Sequence, residues 1–372
     1  MTPDFLRQSG LRAVLAALPG TRLVGGCVRD ALAGQEIADI DMATPMPPDQ
    51  VLVALGRAGL RAIPTGLAHG TVTALVDGQG FEITTLRRDV ETDGRHSTVA
   101  FTDDWREDAA RRDFTINAMS MAPDGEVFDY FGGRADLAEG IVRFVGDAAG
   151  RIAEDYLRIL RFFRFFARYG HARADADALA AIEAGVAGLS LLSAERVWSE
   201  LRRILAAPAP DAALGLMARA GVLAALLPDA VLRPVDALPG DPMLRLAKLM
   251  PTGPAPLNLS GEEAARLLAL QGAPPPDAPD DAELRRLLAD TPPDILEGRA
   301  RIAGRDAALL ARIASMKVPI FPVQGRDLAL AGLQPGPEMG RILKSMRASW
   351  LAGGCIATRD DLMAQLAQHR AP

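Results

Sequence analysis

A chain of 372 residues is long enough to fold into about two to four compact units, each with its own apolar core. Apolar residues make up 49% of it and charged residues 24%, and no apolar run approaches the ~18 residues that a membrane-spanning helix requires. This composition argues against a membrane-spanning protein, and the formal net charge of −6 argues against a general nucleic-acid binder. A local basic stripe is nevertheless enough to bind phosphates.

The N-terminal segment and the two cysteines indicate neither secretion nor a zinc or disulfide site. The N-terminal segment lacks the basic-then-apolar pattern of a signal peptide, so a cytoplasmic location is expected. Cys27 and Cys355 lie far apart in sequence and offer neither a zinc set nor a disulfide framework. No pattern indicates a membrane partner or an obligate protein partner.

The first part of the chain alternates helical and β-rich segments. Residues 5–18 are predicted to form an amphipathic helix, and residues 21–145 then mix short β-rich runs with helical stretches. Four of these runs are predicted strands, at 71–76, 81–85, 126–129 and 142–145. The pattern predicts a mixed α/β unit.

The remainder is predicted to be helical. Residues 151–169 contain neither Gly nor Pro and lie between Gly150 and Gly170, which predicts one continuous helix. A second helix is predicted to begin at Ser193, a plausible N-cap, and the Pro- and Asp-rich residues 272–281 read as a loop. The expected architecture is an α/β (α+β) head followed by an elongated, all-α, multidomain remainder.

A glycine turn followed by two carboxylates is the first chemically informative constellation. Gly25 and Gly26 allow close backbone approach to an anion at the start of a helix. Asp39 and Asp41, at positions i and i+2 of a predicted strand, would share a face and bind hard cations. Each motif alone is more often a tight turn or a solvated strand end. Together they predict a metal–triphosphate site.

Arginines near this turn and in a second motif could bind phosphates. Arg29 lies one turn into the predicted helix, and its structural alternative is a salt bridge to Asp30. Arg111 and Arg112 stand beside Asp113 and Asn117, which gives forked donors for phosphate and polar groups for a ribose.

A third constellation lies in the long predicted helix. Asp155 and Arg158, at i and i+3, would present an acceptor and a donor on one face, although the spacing alone favours an intrahelical salt bridge. Arg161, Arg164 and Arg168 continue a one-sided basic stripe. The phenylalanines of the same helix, at 162, 163, 165 and 166, are predicted to be core residues. In the next helix, Arg196, Glu200 and Arg203 are predicted to form a solvated face.

The order of these motifs resembles that of the class II CCA-adding enzymes. These tRNA nucleotidyltransferases share the polymerase-β-like nucleotidyltransferase superfamily with bacterial poly(A) polymerases. The similarity covers about residues 20–205 and extends more weakly to segments 321–327 and 335–340. It implies a catalytic head at 1–138, a base-recognition neck at 139–205, a helical body at 206–275 and a tRNA-binding tail at 276–372.

The resemblance implies roles for the residues already singled out. Asp39 and Asp41 would be catalytic and bind Mg²⁺, and Glu82 is either a third metal-binding carboxylate or a structural acid. Asp155 and Arg158 would read CTP and then ATP, with Arg161 behind them. The nucleotide-binding set implied by the resemblance comprises Gly25, Gly26, Arg29, Arg111, Arg112, Asp113, Asn117, Asp155, Arg158 and Arg161.

The implied reaction adds C, C and A to the 3′ end of tRNA from CTP and ATP, without a nucleic-acid template. The polar segment 88–110 reads as a flexible loop, which in this family accompanies the switch from CTP to ATP. Arg326, Arg341, Lys344 and Arg347 could grip the tRNA. The alternatives are a poly(A) polymerase, an enzyme that adds only A or only CC, and, in another class, a non-catalytic tRNA-binding protein.

Overall fold

The computed structural model describes residues 3–37, 39–92, 97–170 and 173–370. It divides into two compact units, Met1–Pro228 with Pro256–Asn258 and Asp229–Ala255 with Leu259–Pro372. The finer division into four domains stays a prediction. The described strands all lie in the first unit: β1 Arg22–Val24, β2 Asp41–Thr44, β3 Arg61–Gly66, β4 Thr71–Val76, β5 Gln79–Thr85, β6 Arg87–Thr92, β7 Ser97–Phe101, β8 Ser120–Met121 and β9 Val127–Phe128.

Helices supply the rest of the first unit and all regular structure described in the second. Those of the first unit are α1 Ser9–Ala17, α2 Gly26–Leu32, α3 Pro48–Arg57, α4 Trp105–Ala110, α5 Gly133–Glu139, α6 Ala148–Glu154, α7 Leu157–Tyr169, α8 Ala176–Gly185, α9 Ala194–Leu205, α10 Asp211–Arg219 and α11 Val222–Leu226. Those of the second are α12 Pro242–Leu249, α13 Gly261–Leu270, α14 Asp281–Asp290, α15 Pro293–Ile302, α16 Ala307–Ser315, α17 Gly325–Leu330, α18 Pro337–Ala352 and α19 Arg359–Arg370.

The central sheet has seven strands in the order β3-β4-β5-β2-β1-β8-β9. The β2–β5 pair is parallel and every other neighbouring pair is antiparallel. Helix α3 covers part of the sheet with Val51 and Leu55, which lie at i and i+4 and are buried. Pro48 begins α3, a position where its missing N–H costs no helical hydrogen bond. The sheet and its covering helices form the α/β head expected from the sequence.

Two predicted elements of the head differ in detail. The predicted helix over 5–18 is a 3-10 helix at Asp4–Arg7 followed by α1, with a break at Gln8. The predicted strand over 142–145 is absent from the structure of that segment, where Phe144 makes a single antiparallel bridge to Phe114. The other predicted strands correspond to β4, β5 and β9.

The predicted single helix over 151–169 is wrong. It is two helices, α6 and α7, separated at Asp155, whose backbone is extended at φ −157° and ψ 106°. The Asp155 side chain accepts a hydrogen bond from the backbone N–H of Leu157, 3.0 Å away, and so satisfies a free donor at the start of α7. The buried phenylalanines of α7 are core residues, as predicted.

The described part of segment 88–110 contains regular structure where a loop was predicted. It contains most of the antiparallel hairpin β6–β7 and the whole of α4. Residues 93–96 lie outside the described residues. Asp104 caps α4 by accepting a hydrogen bond from the backbone N–H of Arg106 at 2.7 Å.

The second unit is a helical array with its own apolar cores. Leu284, Leu296 and Ile313 are buried together in one cluster, and Leu328 and Trp350 in another. The predicted loop at 272–281 is confirmed, since α13 ends at Leu270 and α14 begins at Asp281. Across the described parts of both units, no helix combines the length and apolar character needed to cross a bilayer.

Candidate active site

One cleft in the first unit has a volume of about 1370 Å³ and collects most of the residues singled out in the sequence. Glu82 lies instead at a smaller neighbouring pocket of about 150 Å³, which Asp41 also lines. Twelve predicted residues line the large cleft: Gly25, Gly26, Arg29, Asp39, Asp41, Arg111, Arg112, Asp113, Asn117, Asp155, Arg158 and Arg161.

The glycine turn has a backbone conformation that favours glycine. Gly25 has φ +70° and ψ −124°, a conformation that residues with a Cβ avoid, and it immediately precedes α2. A Cβ at Gly25 would lie 2.9 Å from Nη1 of Arg112. The turn therefore lets the Arg112 guanidinium approach the start of α2.

The two carboxylates lie at the beginning of β2. The prediction that both are strand residues is wrong for Asp39, which precedes the strand, whereas Asp41 is its first residue. Asp41 is in register with Glu82 of the parallel neighbour β5. Burial raises the pKa of Asp41, Arg112 opposes this effect, and the negative charge of Asp39 raises the pKa further. The two aspartates are therefore close enough to repel each other.

These carboxylates fit a divalent cation. A cation would relieve the repulsion that raises the pKa of Asp41. Among the described residues, no group of three or more His, Cys, Asp and Glu side chains could by itself hold a metal ion. Two carboxylates suffice for Mg²⁺, which usually takes its other ligands from water and substrate phosphates.

Arg111 and Arg112 are fixed from behind by a buried carboxylate that the sequence reasoning missed. Asp108 accepts hydrogen bonds from Nε of Arg111 at 3.0 Å and Nη2 of Arg112 at 3.3 Å. Burial disfavours the charge of Asp108, but the two guanidinium groups outweigh it and hold the pKa of this carboxyl below its usual value. Asp108 thus stays ionised and orients both arginines at the cleft.

Arg29 makes the salt bridge that was its structural alternative, and it also lines the cleft. Its Nε and Nη2 donate to the two carboxylate oxygens of Asp30 at 3.0 and 3.1 Å, and its Nη1 donates to Oδ1 of Asn117 at 2.6 Å. The residue is 8% exposed, so its direction is fixed by these partners.

Asp113 joins the head to α7. Its Oδ1 accepts from Nδ2 of Asn117 at 3.0 Å, and its Oδ2 accepts from Nε of Arg161 at 2.7 Å. Burial opposes the charge of Asp113, but Arg161 and Asn117 together lower its pKa. Asp113 therefore positions Arg161 and Asn117.

Asp155 and Arg158 do not form the pair that their spacing suggested. Asp155 accepts a hydrogen bond from Nη2 of Arg196 in α9 at 2.8 Å. Arg158 donates to Glu154 and, at 2.8 Å, to the backbone carbonyl of Arg151. Asp155 lies at the break between the helices and is held by Arg196, whereas Arg158 is held by Glu154 and Arg151. Both side chains line the cleft.

The expectation of a solvated face on α9 is wrong for Glu200, whereas Arg203 is exposed. Glu200 is 4% exposed and accepts a hydrogen bond from Nη1 of Arg164 at 3.1 Å. Burial, partly offset by Glu200, lowers the pKa of Arg164 to about 10, so this arginine remains charged at neutral pH. The Ser193 N-cap of α9 is confirmed, since its hydroxyl accepts from the backbone N–H of Arg196 at 3.4 Å.

The charge of the cleft is opposite to that of the chain. Ten arginines and four aspartates line it, although the whole chain carries a net charge of −6. A concave site lined by an excess of one charge concentrates ligands of the other charge. The cleft therefore suits a polyanion that brings or shares a divalent cation.

Several supporting residues escaped the sequence analysis because their partners are distant in the chain. Tyr169, whose hydroxyl donates to Asp30, belongs to this group, and so does the Arg196–Asp155 contact, which joins residues 41 positions apart. The one local signal was Asp108, three and four residues before the two arginines that it binds.

The sequence matches two family models and several characterised proteins. Residues 21–143 match the model for the poly A polymerase head domain, and residues 175–232 match that for a probable RNA and SrmB-binding site of polymerase A. The mitochondrial CCA tRNA nucleotidyltransferase 1 of Mus musculus is 37% identical, in an alignment covering 93% of this chain and 86% of the mouse protein. The CCA-adding enzyme of Geobacillus thermodenitrificans is 39% identical over 54% of this chain and 48% of its own length.

Two solved structures show that the similarity extends to the fold. The Bacillus stearothermophilus CCA-adding enzyme in complex with CTP superposes with a TM-score of 0.77 and 27% identity, covering 97% of this chain and 98% of that one. A Thermotoga maritima CCA-adding enzyme complexed with tRNA shares the fold at a TM-score of 0.66 and 18% identity, covering 100% of this chain and 99% of that one. With the mouse relative aligned along most of both sequences, the chain belongs to the class II CCA-adding enzymes, a family of tRNA nucleotidyltransferases.

Proposed function

We propose that this protein adds C, C and A to the 3′ end of tRNA from CTP and ATP, releasing pyrophosphate at each step. The observation that carries the proposal is one cleft that brings Asp39 and Asp41 together with arginines able to bind phosphate and with Asp155 and Arg158. Relatives named for CCA addition support the same reaction.

The phosphate-binding role is assigned to three arginines. Arg29, Arg111 and Arg112 are held by Asp30 and Asp108 and line the cleft. Fixed guanidinium groups neutralise phosphate charge without having to reorganise when the charge moves to the leaving pyrophosphate. Gly25 and Gly26 let the triphosphate approach the backbone at the start of α2.

The metal-binding role is assigned to Asp39 and Asp41, with Mg²⁺ as the proposed cation and Glu82 as the candidate third ligand. Such a cation, when bound, activates the attacking 3′ hydroxyl and stabilises the leaving oxygen. Asp41 and Glu82 are paired in register on the neighbouring parallel strands β2 and β5, in the interior of the sheet, which supports their acting together. The raised pKa of Asp41, caused first by burial, means that proton and metal compete for this carboxylate.

Base selection is assigned to Asp155 and Arg158, with Arg161 behind them. A carboxylate presents acceptors and a guanidinium presents donors, so the two can pair with the polar edge of a base. Their separate supports, Arg196 and Glu154, keep them from satisfying one another. A nucleotide base bound in the cleft can therefore pair with both side chains.

RNA binding is assigned to the helical part of the chain, with the body at 206–275 and the tail at 276–372. Arg326, Arg341 and Lys344 are exposed there, whereas Arg347 is paired with Asp290. Exposed cations can contact the backbone of an A-form helix, whose base edges are hidden. A cytoplasmic location is part of this proposal, and cell fractionation tests it against a mitochondrial one, the compartment named for the mouse relative.

The decisive experiment supplies the protein with tRNA that ends just before CCA, together with Mg²⁺, CTP and ATP, and sequences the 3′ ends. Products that end in CCA and stop there support the proposal. Long A tracts would instead indicate a poly(A) polymerase, and CC or a lone A an enzyme of split specificity. Binding of tRNA without extension would indicate a non-catalytic binding protein. The Asp39→Ala chain, run in parallel, controls for contaminating activity.

The base-reading role has its own test. Arg158→Ala should blur the choice between CTP and ATP more than it weakens triphosphate binding. An equal loss for both nucleotides would show that Arg158 does not read the base.

A further inference from the structure

A chain of hydrogen bonds leads from α7 to the guanidinium of Arg29. Arg161 of α7 donates to Asp113, and Asn117 donates to the other oxygen of the same carboxylate. Arg29 in turn donates to Oδ1 of Asn117 at 2.6 Å. The direction of Arg29 thus depends on a residue in the first half of α7.

A second path leads from Arg29 back to the far end of the same helix. Asp30 accepts from two nitrogens of Arg29, at 3.0 and 3.1 Å. The hydroxyl of Tyr169, the last residue of α7, donates to Oδ1 of Asp30. The two paths close a loop in which α7 holds Arg29 from both of its ends.

The aromatic rings of α7 also lie against the guanidinium plane. The Cζ atom of Arg29 is 4.5 Å from the ring centroid of Tyr169 and 4.9 Å from that of Phe165. A cation over a ring face is attracted to it, and the contact restricts tilting of the guanidinium. Tyr169 therefore acts on Arg29 twice, through its ring directly and through its hydroxyl by way of Asp30.

These contacts leave part of Arg29 available to a ligand. Within the described residues, the hydrogen bonds to Asp30 and Asn117 use three of the five guanidinium N–H groups. Two N–H groups remain, and the residue lines the cleft. A small rotation of the guanidinium would change where these two donors point.

We propose that Tyr169 is a positioning residue that fixes Arg29 for the triphosphate through Asp30. The inference rests on the proposed function and adds a physical link between the two ends of the nucleotide site. Helix α7 carries Arg158, assigned to the base, and also holds Arg29, assigned to the phosphates. The same helix therefore contacts the base through Arg158 and positions Arg29 for the triphosphate of the same nucleotide.

The test removes the hydroxyl and keeps the ring. In Tyr169→Phe the ring can remain over Arg29, while Asp30 loses one hydrogen-bond donor. Isothermal titration of the full chain with CTP and with CMP, each with Mg²⁺, should show about a tenfold loss of CTP affinity and less than a twofold loss for CMP. Only a role at the β- and γ-phosphates predicts this difference.

A matched control is available in the same unit. Tyr130 also hydrogen-bonds an arginine through its hydroxyl, accepting from Nη1 of Arg22 at 3.4 Å, but it does not line the cleft. Tyr130→Phe should leave both affinities unchanged. Thermal unfolding of both variants reports any general loss of stability.

Steady-state kinetics give a second readout. Tyr169→Phe should raise KM for CTP and for ATP by similar factors, because the triphosphate is common to both. CTP affinity equal to wild type, or equal losses for CTP and CMP, would overturn the proposal. A wild-type chain that binds CTP but never extends tRNA would overturn the proposed function instead, and the CTP-against-CMP comparison would still decide the role of Tyr169.

Discussion

Arg196 of α9 holds the carboxylate of Asp155 at 2.8 Å, across 41 positions of sequence. Asp155 lies in the extended break between α6 and α7, where its carboxylate also accepts a hydrogen bond from the backbone N–H of Leu157 at 3.0 Å. The acceptor assigned to base reading is therefore oriented both by the first residue of α7 and by a side-chain contact from a neighbouring helix.

Removing that contact should relax nucleotide choice. In Arg196→Ala, Asp155 keeps its hydrogen bond to the backbone of Leu157 but loses its charged partner. We expect the ratio of kcat/KM for CTP and ATP to change by about tenfold, the effect of one charge-assisted hydrogen bond. Arg203→Ala is the control, since it removes a cleft arginine from the same helix without touching Asp155. Equal changes in both variants would refute the positioning of Asp155 by Arg196.

The carboxylate pair should be indispensable for extension. Asp41→Asn is expected to reduce tRNA extension by more than ~100-fold, beyond the effect of residues that merely support metal ligands. Asp103→Asn, which alters an exposed carboxylate of the same unit, should behave as wild type. The measurement is tRNA extension by both variants at graded Mg²⁺ concentrations. Substantial activity in Asp41→Asn would show that Asp41 is not a metal ligand.

The glycine turn offers a test of close approach. Gly25→Ala places a Cβ 2.9 Å from Nη1 of Arg112 and forces a non-glycine residue to φ +70°. We expect a loss of about 1–3 kcal/mol of stability from the backbone together with weaker CTP binding. Gly34→Ala shares a positive φ, +65°, but nothing lies within 4 Å of its Cβ. Gly34→Ala should lose stability without losing CTP affinity. An equal loss of CTP affinity in Gly34→Ala and Gly25→Ala would contradict the role of the Arg112 contact.

The buried Asp113 should make stability depend on pH in a defined direction. Its pKa is lowered because Arg161 and Asn117 outweigh the effect of burial, so its contribution is fully present above its unfolded pKa of about 3.9. This contribution is lost as pH falls through the lower folded-state pKa. Asp113→Asn should cost about 2 kcal/mol at neutral pH, the scale of a hydrogen bond to a charged group.

Denaturant unfolding from pH 7 to pH 3 checks this prediction. The difference between wild type and Asp113→Asn should be constant above about pH 4.5 and shrink as the solution becomes more acidic. A difference that grows on acidification would mean that Asp113 is not ionised in the folded protein.

The sequence carried much of the site because its motifs are short and local. The glycine turn, Asp41 and the Arg111–Arg112 pair each lie within a few residues of the element that presents them. The resemblance to a known family grouped them into one site, and all of them line one cleft of the structure. The N-cap at Ser193 was equally local and was predicted correctly.

Features that depend on distant partners could not be predicted in the same way. Neither Gly nor Pro marks the break at Asp155, which is held by Arg196 and by a cap on α7. Glu200 looked solvated because its partner Arg164 belongs to another helix. The hairpin β6–β7 lies in a polar segment, where composition favours a loop and strand pairing decides otherwise.

The parallel pairing of β2 and β5 has a consequence for how the protein folds. Asp41 and Glu82 become neighbours only after the chain has passed through α3, β3 and β4 and returned to the sheet. The β3–β4 and β4–β5 pairs join adjacent segments and close short loops, whereas β2–β5 closes a long one. A refolding chain should therefore form its hairpins first and the β2–β5 pairing, with Asp41 and Glu82, last. Regain of nucleotidyl transfer should then follow regain of secondary structure.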